Sequence, residues 1–167
     1  MYFARPGIQV TLNGVAQGLA ADLAQQALEE WGIENALIDA GEFNAIGSPE
    51  QRDSWHIGVQ HPRQLGSIAK TGLQGRCLST SGDYASKFSD DYCHHHLLDP
   101  RTGLSPVKLS AVSVAAPTAL EADSLSTALF VLGPEKAKKM AESMKGVDAL
   151  FVSKSGDITA TDGFPLI

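Results

Sequence analysis

The sequence predicts an α+β fold in which a mostly antiparallel sheet carries two main helices packed on it. Residues 15–31 and 119–133 show apolar side chains at helical spacing, and between and after them lie short apolar segments separated by Gly and Pro turns. The 167 residues are 43% hydrophobic, which is enough for one proper core. We therefore expect a single domain over residues 1–167.

The first forty residues have a β-α-β pattern. Residues 8–12 alternate like a strand, Asn13-Gly14 turns the chain into a helix over 15–31, and residues 36–40 form the next strand. This order places Gly14 at a helix N-terminus, where backbone N–H groups can meet a charged ligand. The helix is expected to bury one stripe, made of Ala16, Ala20, Leu23, Ala24, Ala27, Leu28 and Trp31.

The middle of the chain is typical of strands joined by loops. Residues 55–60 predict one strand, and residues 65–80 predict two more with a turn at Gly72. The following hydroxyl cluster, residues 79–83 with Thr80 in it, is then expected at a sheet end, where binding sites tend to be built. Most such clusters are plain turns, so both interpretations stay open.

Three histidines precede a tight turn at residues 99–103 (Asp-Pro-Arg-Thr-Gly). Alternate side chains of an extended segment point to opposite faces, so at most His94 and His96 can act together. A histidine held just before a rigid turn suits proton transfer. An exposed or structural histidine is an equally good interpretation of this segment alone.

The second helix carries the most informative pair of side chains. Pro117 ends a buried strand at residues 110–116, and Thr118 with Glu121 forms a capping box. Asp123 and Thr127 lie four residues apart on one face, opposite the face expected to be buried, and these hard oxygen donors suit two positions around Mg²⁺. The alternative is a structural Asp123 with a Thr127 that bonds within its helix. The buried face is expected to contain Leu125, Ala128, Leu129 and Leu132.

The chain ends with a predicted short helix over 135–145 and a hairpin made of residues 147–153 and 157–161. The net charge of −6, without a basic stripe, argues against a nucleic-acid partner. Two cysteines, Cys77 and Cys93, are too few for a disulfide scaffold or a Cys-based zinc site, and a disulfide between them stays open. No stretch approaches the roughly 18 apolar residues of a membrane span, so we expect a soluble chain.

Six segments, in this order, resemble the ApbE family of FAD:protein FMN transferases. They cover nearly the whole chain, which makes the resemblance specific. The segments are 12–18 (LNGVAQG, with Asp22 downstream), 38–41 (IDAG), 55–62 (WHIGVQHP), 79–84 (STSGDY), 96–103 (HLLDPRTG) and 116–133 (APTALEADSLSTALFVLG).

The resemblance implies an ApbE-like fold and an enzyme that uses Mg²⁺ to cleave FAD and attach FMN to a Thr or Ser hydroxyl of a target protein. By position, the family's metal ligands correspond to Gly14 (through its carbonyl), Asp123 and Thr127, and its histidine before the tight turn corresponds to His96. The expected catalytic residues are therefore His96 and Asp123. The expected FAD-binding residues are Thr11, Gln17, Thr80 and His96.

Some positions depart from the family pattern. Thr11 stands in place of a carboxylate that contacts FAD, Gln17 in place of a lysine, and Gly41-Glu42 in place of Gly-Gly. These changes resemble the branch associated with maturation of nitrous oxide reductase, whose target is a membrane-bound flavoprotein. The resemblance implies that the protein is periplasmic or anchored to the membrane on the periplasmic side. The chain corresponds to the C-terminal half of a full-length family member, so weak FAD binding and no appreciable transfer are expected from it alone.

Two other functions remain open at this stage. The same site could hydrolyse FAD to FMN and AMP, because only the acceptor, water instead of a protein hydroxyl, differs. The chain could also be a non-catalytic binding or assembly module. In that case, apolar surface left where the front half would dock is expected to be covered by a second copy, as in a homodimer, or by another protein.

Overall fold

The computed structural model describes residues 4–7 and 9–167, and it confirms the α+β class with a mostly antiparallel sheet. The described residues form three helices and eight strands. In chain order these are α1 (Ala16–Glu30), β1 (Ala36–Asp39), β2 (Phe43–Ile46), β3 (Trp55–Gln60), β4 (Ser67–Leu73), β5 (Cys77–Gly82), β6 (Leu109–Ala116), α2 (Ala119–Leu132), α3 (Pro134–Ser143), β7 (Asp148–Ser153) and β8 (Ile158–Ala160).

Six strands form one antiparallel sheet in the order β1-β2-β5-β6-β7-β8, and β3 pairs only with β4 as a separate hairpin. All eight residues of β6 are buried, since both faces of this strand are covered. Val112 and Val114 belong to a core on the helix side, whereas Ala111 and Ala115 belong to a core shared with the hairpin. The alternation along β6 therefore fills two cores at once.

Helix α2 is the central helix of the fold. It packs on β5 and β6, α1 packs on α2, and α3 contacts α2 and β7. Its N-terminus has the predicted capping box, because the Thr118 hydroxyl accepts a hydrogen bond of 3.1 Å from the Glu121 N–H. Leu125 and Leu129 are buried as predicted, whereas Ala128 is exposed and Leu132 is half-buried. None of the described helices is both long and apolar enough to cross a membrane.

The predicted buried stripe of α1 is wrong. Only Gly18 and Ala21 of this helix are buried, while Leu23 is 57% and Trp31 86% exposed. A Cβ on Gly18 would meet the backbone carbonyl of Ala119 and come within 2.7 Å of the Leu120 Cα. Helix α1 therefore turns its small residues, rather than its large apolar ones, toward α2.

Several predicted strands are confirmed and others need correction. The strand at 55–60, the strand at 110–116 and the closing hairpin are confirmed as β3, β6 and β7–β8. Residues 9–12 form no strand, so the β-α-β opening is wrong; Ile8 lies outside the described residues. The turn placed at Gly72 lies at residues 74–76, where Gly75 has a φ of +59° that favours glycine, and Gly72 lies inside β4.

Strand β2 was missed by the sequence analysis. Its four residues pair with β1 and, through Phe43 and Asn44, with β5. The hydroxyls of residues 79–81 belong to β5 rather than to a turn after it. Cys77 and Cys93 are both free thiols.

Candidate active site

The N-termini of α1 and α2 each receive a carboxylate from the other helix. Asp123 Oδ2 accepts a 2.9 Å hydrogen bond from the N–H of Gly18, in the first turn of α1. In return, the carboxylate oxygens of Asp22 accept from the N–H groups of Ala119 and Leu120 at 2.8 and 2.9 Å. Both carboxylates satisfy helix N–H groups that have no partner within their own helix, and both lie at the positive end of a helix dipole.

Asp123 is therefore partly structural, which was the alternative interpretation of its position. It is only 5% exposed, and no hydrogen bond to its Oδ1 occurs among the described residues. Since Asp123 also lines a cavity, one carboxylate oxygen holds α1 and the other is available to a ligand. The structural and functional interpretations of this residue do not exclude each other.

A chain of hydroxyl groups orients Thr127. The Ser126 hydroxyl donates to the carbonyl of Asp123 at 2.9 Å. Ser81 lies 2.7 Å from Ser126 and 3.0 Å from the Thr127 hydroxyl. Because each hydroxyl has one proton, Ser81 then donates to Ser126 and Thr127 donates to Ser81. This arrangement leaves the oxygen lone pairs of Thr127 free for a cation.

A cavity of about 400 Å³ lies where these groups meet, and we call it the site cavity. Its wall contains all seven residues that the sequence analysis selected for binding or catalysis; their chemical roles stay predictions. Those seven are Thr11, Gly14, Gln17, Thr80, His96, Asp123 and Thr127, and the remaining lining residues are Asn13, Glu42, Ser81, Gly82, Ala85, Leu97 and Leu98.

The histidine segment alternates as predicted. His95 is fully buried, with its ring Nε2 3.0 Å from the carbonyl of Pro106 and its ring edge-on to Phe130. Burial lowers the pKa of His95, which keeps this ring neutral. His94 and His96 are exposed, and of these two only His96 lines the site cavity.

The turn after His96 is closed by a backbone hydrogen bond and an ion pair within the turn. The carbonyl of Asp99 accepts from the N–H of Gly103 at 2.7 Å, and Arg101 forms a two-point ion pair with the Asp99 carboxylate. Hydrogen bonds from Arg101 lower the pKa of Asp99 to about 2. The backbone of His96 is fixed by a 3.0 Å bond from its N–H to the carbonyl of Ser86.

Asp83 anchors the loop that leads to His96, a role that the sequence analysis did not assign. This carboxylate is fully buried and accepts two 2.7 Å hydrogen bonds from Arg63 and one of 2.5 Å from Lys154. Lys154 also donates to the carbonyl of Tyr92, and the Arg63 guanidinium lies 3.8 Å from the Tyr92 ring centre. The three charged groups are far apart in sequence, so no local pattern could indicate them.

Glu42 is the second carboxyl group in the wall of the site cavity. It is 6% exposed, and its Oε2 is buried without a hydrogen-bond partner. Burial raises the pKa of Glu42 to about 7; the Ser79 hydroxyl opposes this shift, and the charges of Asp123 and Asp39 add to it. In the sequence Glu42 was only a departure from a family pattern.

The residues of the site cavity fit Mg²⁺. Among the described residues, no three His, Cys, Asp or Glu side chains gather into a metal-binding group. The oxygen atoms available to a cation are one carboxylate, that of Asp123, the hydroxyl of Thr127 and the backbone carbonyl of Gly14, on which a Cβ would lie 3.8 Å from Thr127 Oγ1. Mg²⁺ takes few protein ligands and keeps its remaining positions for water and phosphate oxygens.

A second cavity of about 360 Å³ adjoins the first and shares Thr80, Gly82 and Ala85 with it. We call it the aromatic cavity, because Phe43 and Tyr84 are in its wall. The Tyr84 ring packs against Gly82, where a Cβ would collide with it. The two cavities together offer oxygen donors beside ring surface.

Fold and cavities define an α+β protein with a polar, ligand-sized site at the junction of two helix N-termini and an antiparallel sheet. The model of the ApbE family matches residues 1–151. The chain belongs to the ApbE family.

Curated relatives carry the name FAD:protein FMN transferase. The protein from Treponema pallidum is 34% identical over 96% of this chain and 48% of its own length. The protein from Escherichia coli K12 is 36% identical over 91% of this chain and 44% of its own. The chain thus spans about half the length of the curated relatives it matches.

Solved structures agree with the sequence comparison. The ApbE protein of Thermotoga maritima superposes with a TM-score of 0.87 at 33% identity, over 94% of this chain and 52% of that one. The flavinyl transferase ApbE of Pseudomonas stutzeri, in its apo form, gives a TM-score of 0.77 at 38% identity, over 92% and 50%. The ApbE-like fold predicted from the sequence is therefore confirmed.

Proposed function

We propose that the chain carries the Mg²⁺-dependent centre of a flavin transferase, which moves FMN from FAD to a Thr or Ser hydroxyl of a target protein. The observation that carries this proposal is the convergence of Gly14, His96, Asp123 and Thr127 on one cavity. The names of the relatives support the reaction class. The burial of His95, and the presence of His96 but not His94 in the wall of the site cavity, support His96 as the acid–base residue.

Each part of the site has a task in this reaction. Asp123, Thr127 and the Gly14 carbonyl would hold Mg²⁺, which when bound neutralises pyrophosphate oxygens. The acceptor oxygen attacks the phosphorus of the FMN half, the bond from that phosphorus to the AMP oxygen breaks, and His96 takes the acceptor proton. The aromatic cavity offers Phe43 and Tyr84 to a ring system of FAD.

The acceptor and the cellular location are part of the proposal. The acceptor that fits the resemblance to the nitrous oxide reductase branch is a membrane flavoprotein, and the location that fits it is the periplasmic side of the membrane. Hydrolysis of FAD would use the same residues with water as the acceptor. Both reactions release AMP, so mass spectrometry of a threonine-containing peptide distinguishes them: transfer attaches FMN to the peptide, whereas hydrolysis leaves FMN free and releases AMP without peptide.

The test is a titration of the chain with FAD, with and without Mg²⁺, followed by flavin fluorescence. We expect Mg²⁺ to tighten binding, because the cation links the pyrophosphate to Asp123 and Thr127. Thr127→Val keeps the shape of the side chain and should remove most of the Mg²⁺ effect, as should Asp123→Asn. His96→Ala should leave FAD binding within about threefold, since a proton acceptor acts after binding.

Asp162→Asn serves as the matched control, because Asp162 is exposed and does not line the site cavity. Circular dichroism of Asp123→Asn checks that the loss of the Gly18 hydrogen bond has not unfolded the chain. Binding of FAD that is the same with and without Mg²⁺, or that is insensitive to Thr127→Val, contradicts the proposal.

A second candidate is an assembly module, and one observation favours it. Leu19, Leu23, Ala27 and Trp31 follow each other at intervals of four residues and are all exposed, so they form a stripe along α1. We call these four residues the outer stripe. A second copy of the chain would cover it, and the sedimentation experiment that tests this is argued in the Discussion.

A further inference from the structure

Glu42 is unusual among the residues of the site cavity, because its buried carboxylate oxygen has no protein partner. Four buried side-chain atoms in the described part of the chain lack a hydrogen bond, and Glu42 Oε2 is the one that belongs to a residue lining the site cavity. Glu42 is only 6% exposed, so water does not freely replace the missing hydrogen-bond partner. An unpaired buried carboxylate destabilises the folded chain unless a ligand or a proton compensates it.

A purely structural role does not account for this arrangement. A structural carboxylate in this fold is fully paired, as Asp83 is with Arg63 and Lys154, or caps a helix, as Asp22 does. Glu42 instead faces the negative charges of Asp123 and Asp39, and of these two Asp123 shares its cavity. The electrostatics favour a positive charge between the carboxyl groups of Glu42 and Asp123.

We propose that Glu42 is a further positioning residue of the cation site, which orients the water shell of a divalent cation held by Gly14, Asp123 and Thr127. This inference rests on the proposed function, because it assumes that these three residues hold the cation. Carboxylates outside the direct ligand set accept hydrogen bonds from metal-bound water and tune affinity about 10- to 100-fold. Burial raises the pKa of Glu42, and a nearby cation would oppose this shift because it favours the ionised form.

The experiment measures cation binding rather than turnover. The full chain is titrated with Mn²⁺ while the electron paramagnetic resonance signal of free Mn²⁺ is recorded, and Mg²⁺ is then used as competitor. We expect wild-type chain to bind Mn²⁺ and Glu42→Gln to bind it about 10- to 100-fold more weakly. Asp123→Asn should weaken binding further.

Asp39→Asn is the matched control. It removes a charge that also acts on Glu42, but Asp39 does not line the site cavity. We expect its Mn²⁺ affinity to stay within about threefold of wild type. An equal loss in Asp39→Asn and Glu42→Gln would overturn the inference, because the effect would then come from total charge rather than from the place of Glu42.

Metal-free stability gives a second readout, which also shows that the variant folds. We expect the melting temperature of Glu42→Gln in EDTA at pH 8 to equal or exceed that of wild type. A variant that loses both stability and Mn²⁺ affinity would show a structural role and overturn the inference. Unchanged affinity in Glu42→Gln, with loss in Asp123→Asn, would overturn the inference alone, whereas a wild-type chain that binds no Mn²⁺ would overturn the proposed function as well.

Discussion

Asp123 and Glu42 are two buried carboxyl groups in one cavity, with opposite local environments. Asp123 accepts the Gly18 N–H at the start of α1, where the helix dipole favours its charge. Glu42 has an unpaired oxygen and carboxylate neighbours, so burial raises its pKa to about 7. One carboxyl group thus has a hydrogen-bond donor at a helix N-terminus, whereas the other is buried with an unpaired oxygen and is held partly neutral.

The pH dependence of stability should reveal the burial of Glu42. In the unfolded chain this carboxyl ionises near 4.5, whereas in the folded chain it keeps its proton up to about pH 7. Between these values the folded state binds more protons, so the free energy of unfolding falls as pH rises, by at most roughly 3 kcal/mol. Glu42→Gln removes this loss. In EDTA its melting temperature should match that of wild type at pH 4.5 and exceed it at pH 8.

Glu50→Gln is the control for this prediction, because Glu50 is exposed and its substitution changes the net charge by the same amount as Glu42→Gln. Thermal melts by circular dichroism at four or five pH values are sufficient. A difference between Glu42→Gln and wild type that stays constant with pH would contradict the burial argument.

The sequence could indicate Asp123 and Thr127, since both lie on one helix and their four-residue spacing alone places them side by side. It could not indicate Glu42 or the structural roles of Asp22 and Asp83. Asp22 meets Ala119 across 97 residues, and Asp83 meets Lys154 across 71. Such pairs depend on how elements pack, which periodicity within one element does not contain.

At the scale of elements, the contact between α1 and α2 determines the geometry of the site. Gly18 has no side chain, and this lets its N–H reach Asp123 while Asp22 reaches the first turn of α2. Both carboxylate bridges require the same close approach of the two helices. One glycine therefore controls the position of Asp123.

Gly18→Ala should destabilise the chain although alanine is the better helix former. The added Cβ would lie 2.7 Å from the Leu120 Cα and would also meet the Ala119 carbonyl, so the helices must separate. Overpacking of this kind costs about 1–3 kcal/mol, against a propensity gain of about 1 kcal/mol. Urea unfolding should show a net loss of stability, and Mn²⁺ affinity should fall because Asp123 moves with α2.

Ala20→Gln is the comparison for Gly18→Ala, since Ala20 is exposed on the same helix and glutamine is also a good helix former. It should leave both measurements nearly unchanged. A Gly18→Ala variant more stable than wild type would mean that propensity, not the helix contact, dominates at this position.

The bounds of the helices were more predictable than their orientation. Predicted helices over 15–31 and 119–133 became Ala16–Glu30 and Ala119–Leu132, because caps and turn residues are local signals. The buried face of α1 was wrong because the prediction assigned the stripe with Leu23, Leu28 and Trp31, together with four alanines, to the core instead of the face with Gly18 and Ala21. The contact between α1 and α2 needs small residues. A pattern of hydrophobicity does not show which face of a helix approaches its neighbour closely and which face is left exposed.

At the scale of the whole molecule, apolar side chains are buried on both faces of the sheet but exposed on the outer side of α1. The helix side and the hairpin side of the sheet each have a closed core. The outer stripe, in contrast, leaves Leu19 47%, Leu23 57% and Trp31 86% exposed. Contiguous apolar surface of this kind marks an interaction site more often than a single exposed side chain does.

If the chain is an assembly module, we expect it to form a homodimer through the outer stripe, and the fraction of dimer should rise with protein concentration. Leu23→Glu should shift the equilibrium toward monomer, because the paired stripes would bury an unpaired carboxylate. Gln26→Glu, on the same helix but outside the outer stripe, adds the same charge as a control. Sedimentation equilibrium over a hundredfold range of concentration measures the effect for all three proteins.

Trp31 gives this prediction an independent probe. The chain has two tryptophans, and Trp55 is half-buried with its ring N–H donating to the carbonyl of Ile46 at 3.1 Å. In a Trp55→Phe background the emission therefore reports on Trp31, and it should shift to shorter wavelength as concentration rises, because association removes water from an indole that is 86% exposed in the single chain. The shift should follow the same concentration curve as sedimentation, and Leu23→Glu should abolish it. A monomer at every concentration, with constant Trp31 emission, would contradict the homodimer and leave the catalytic interpretation as the stronger of the two.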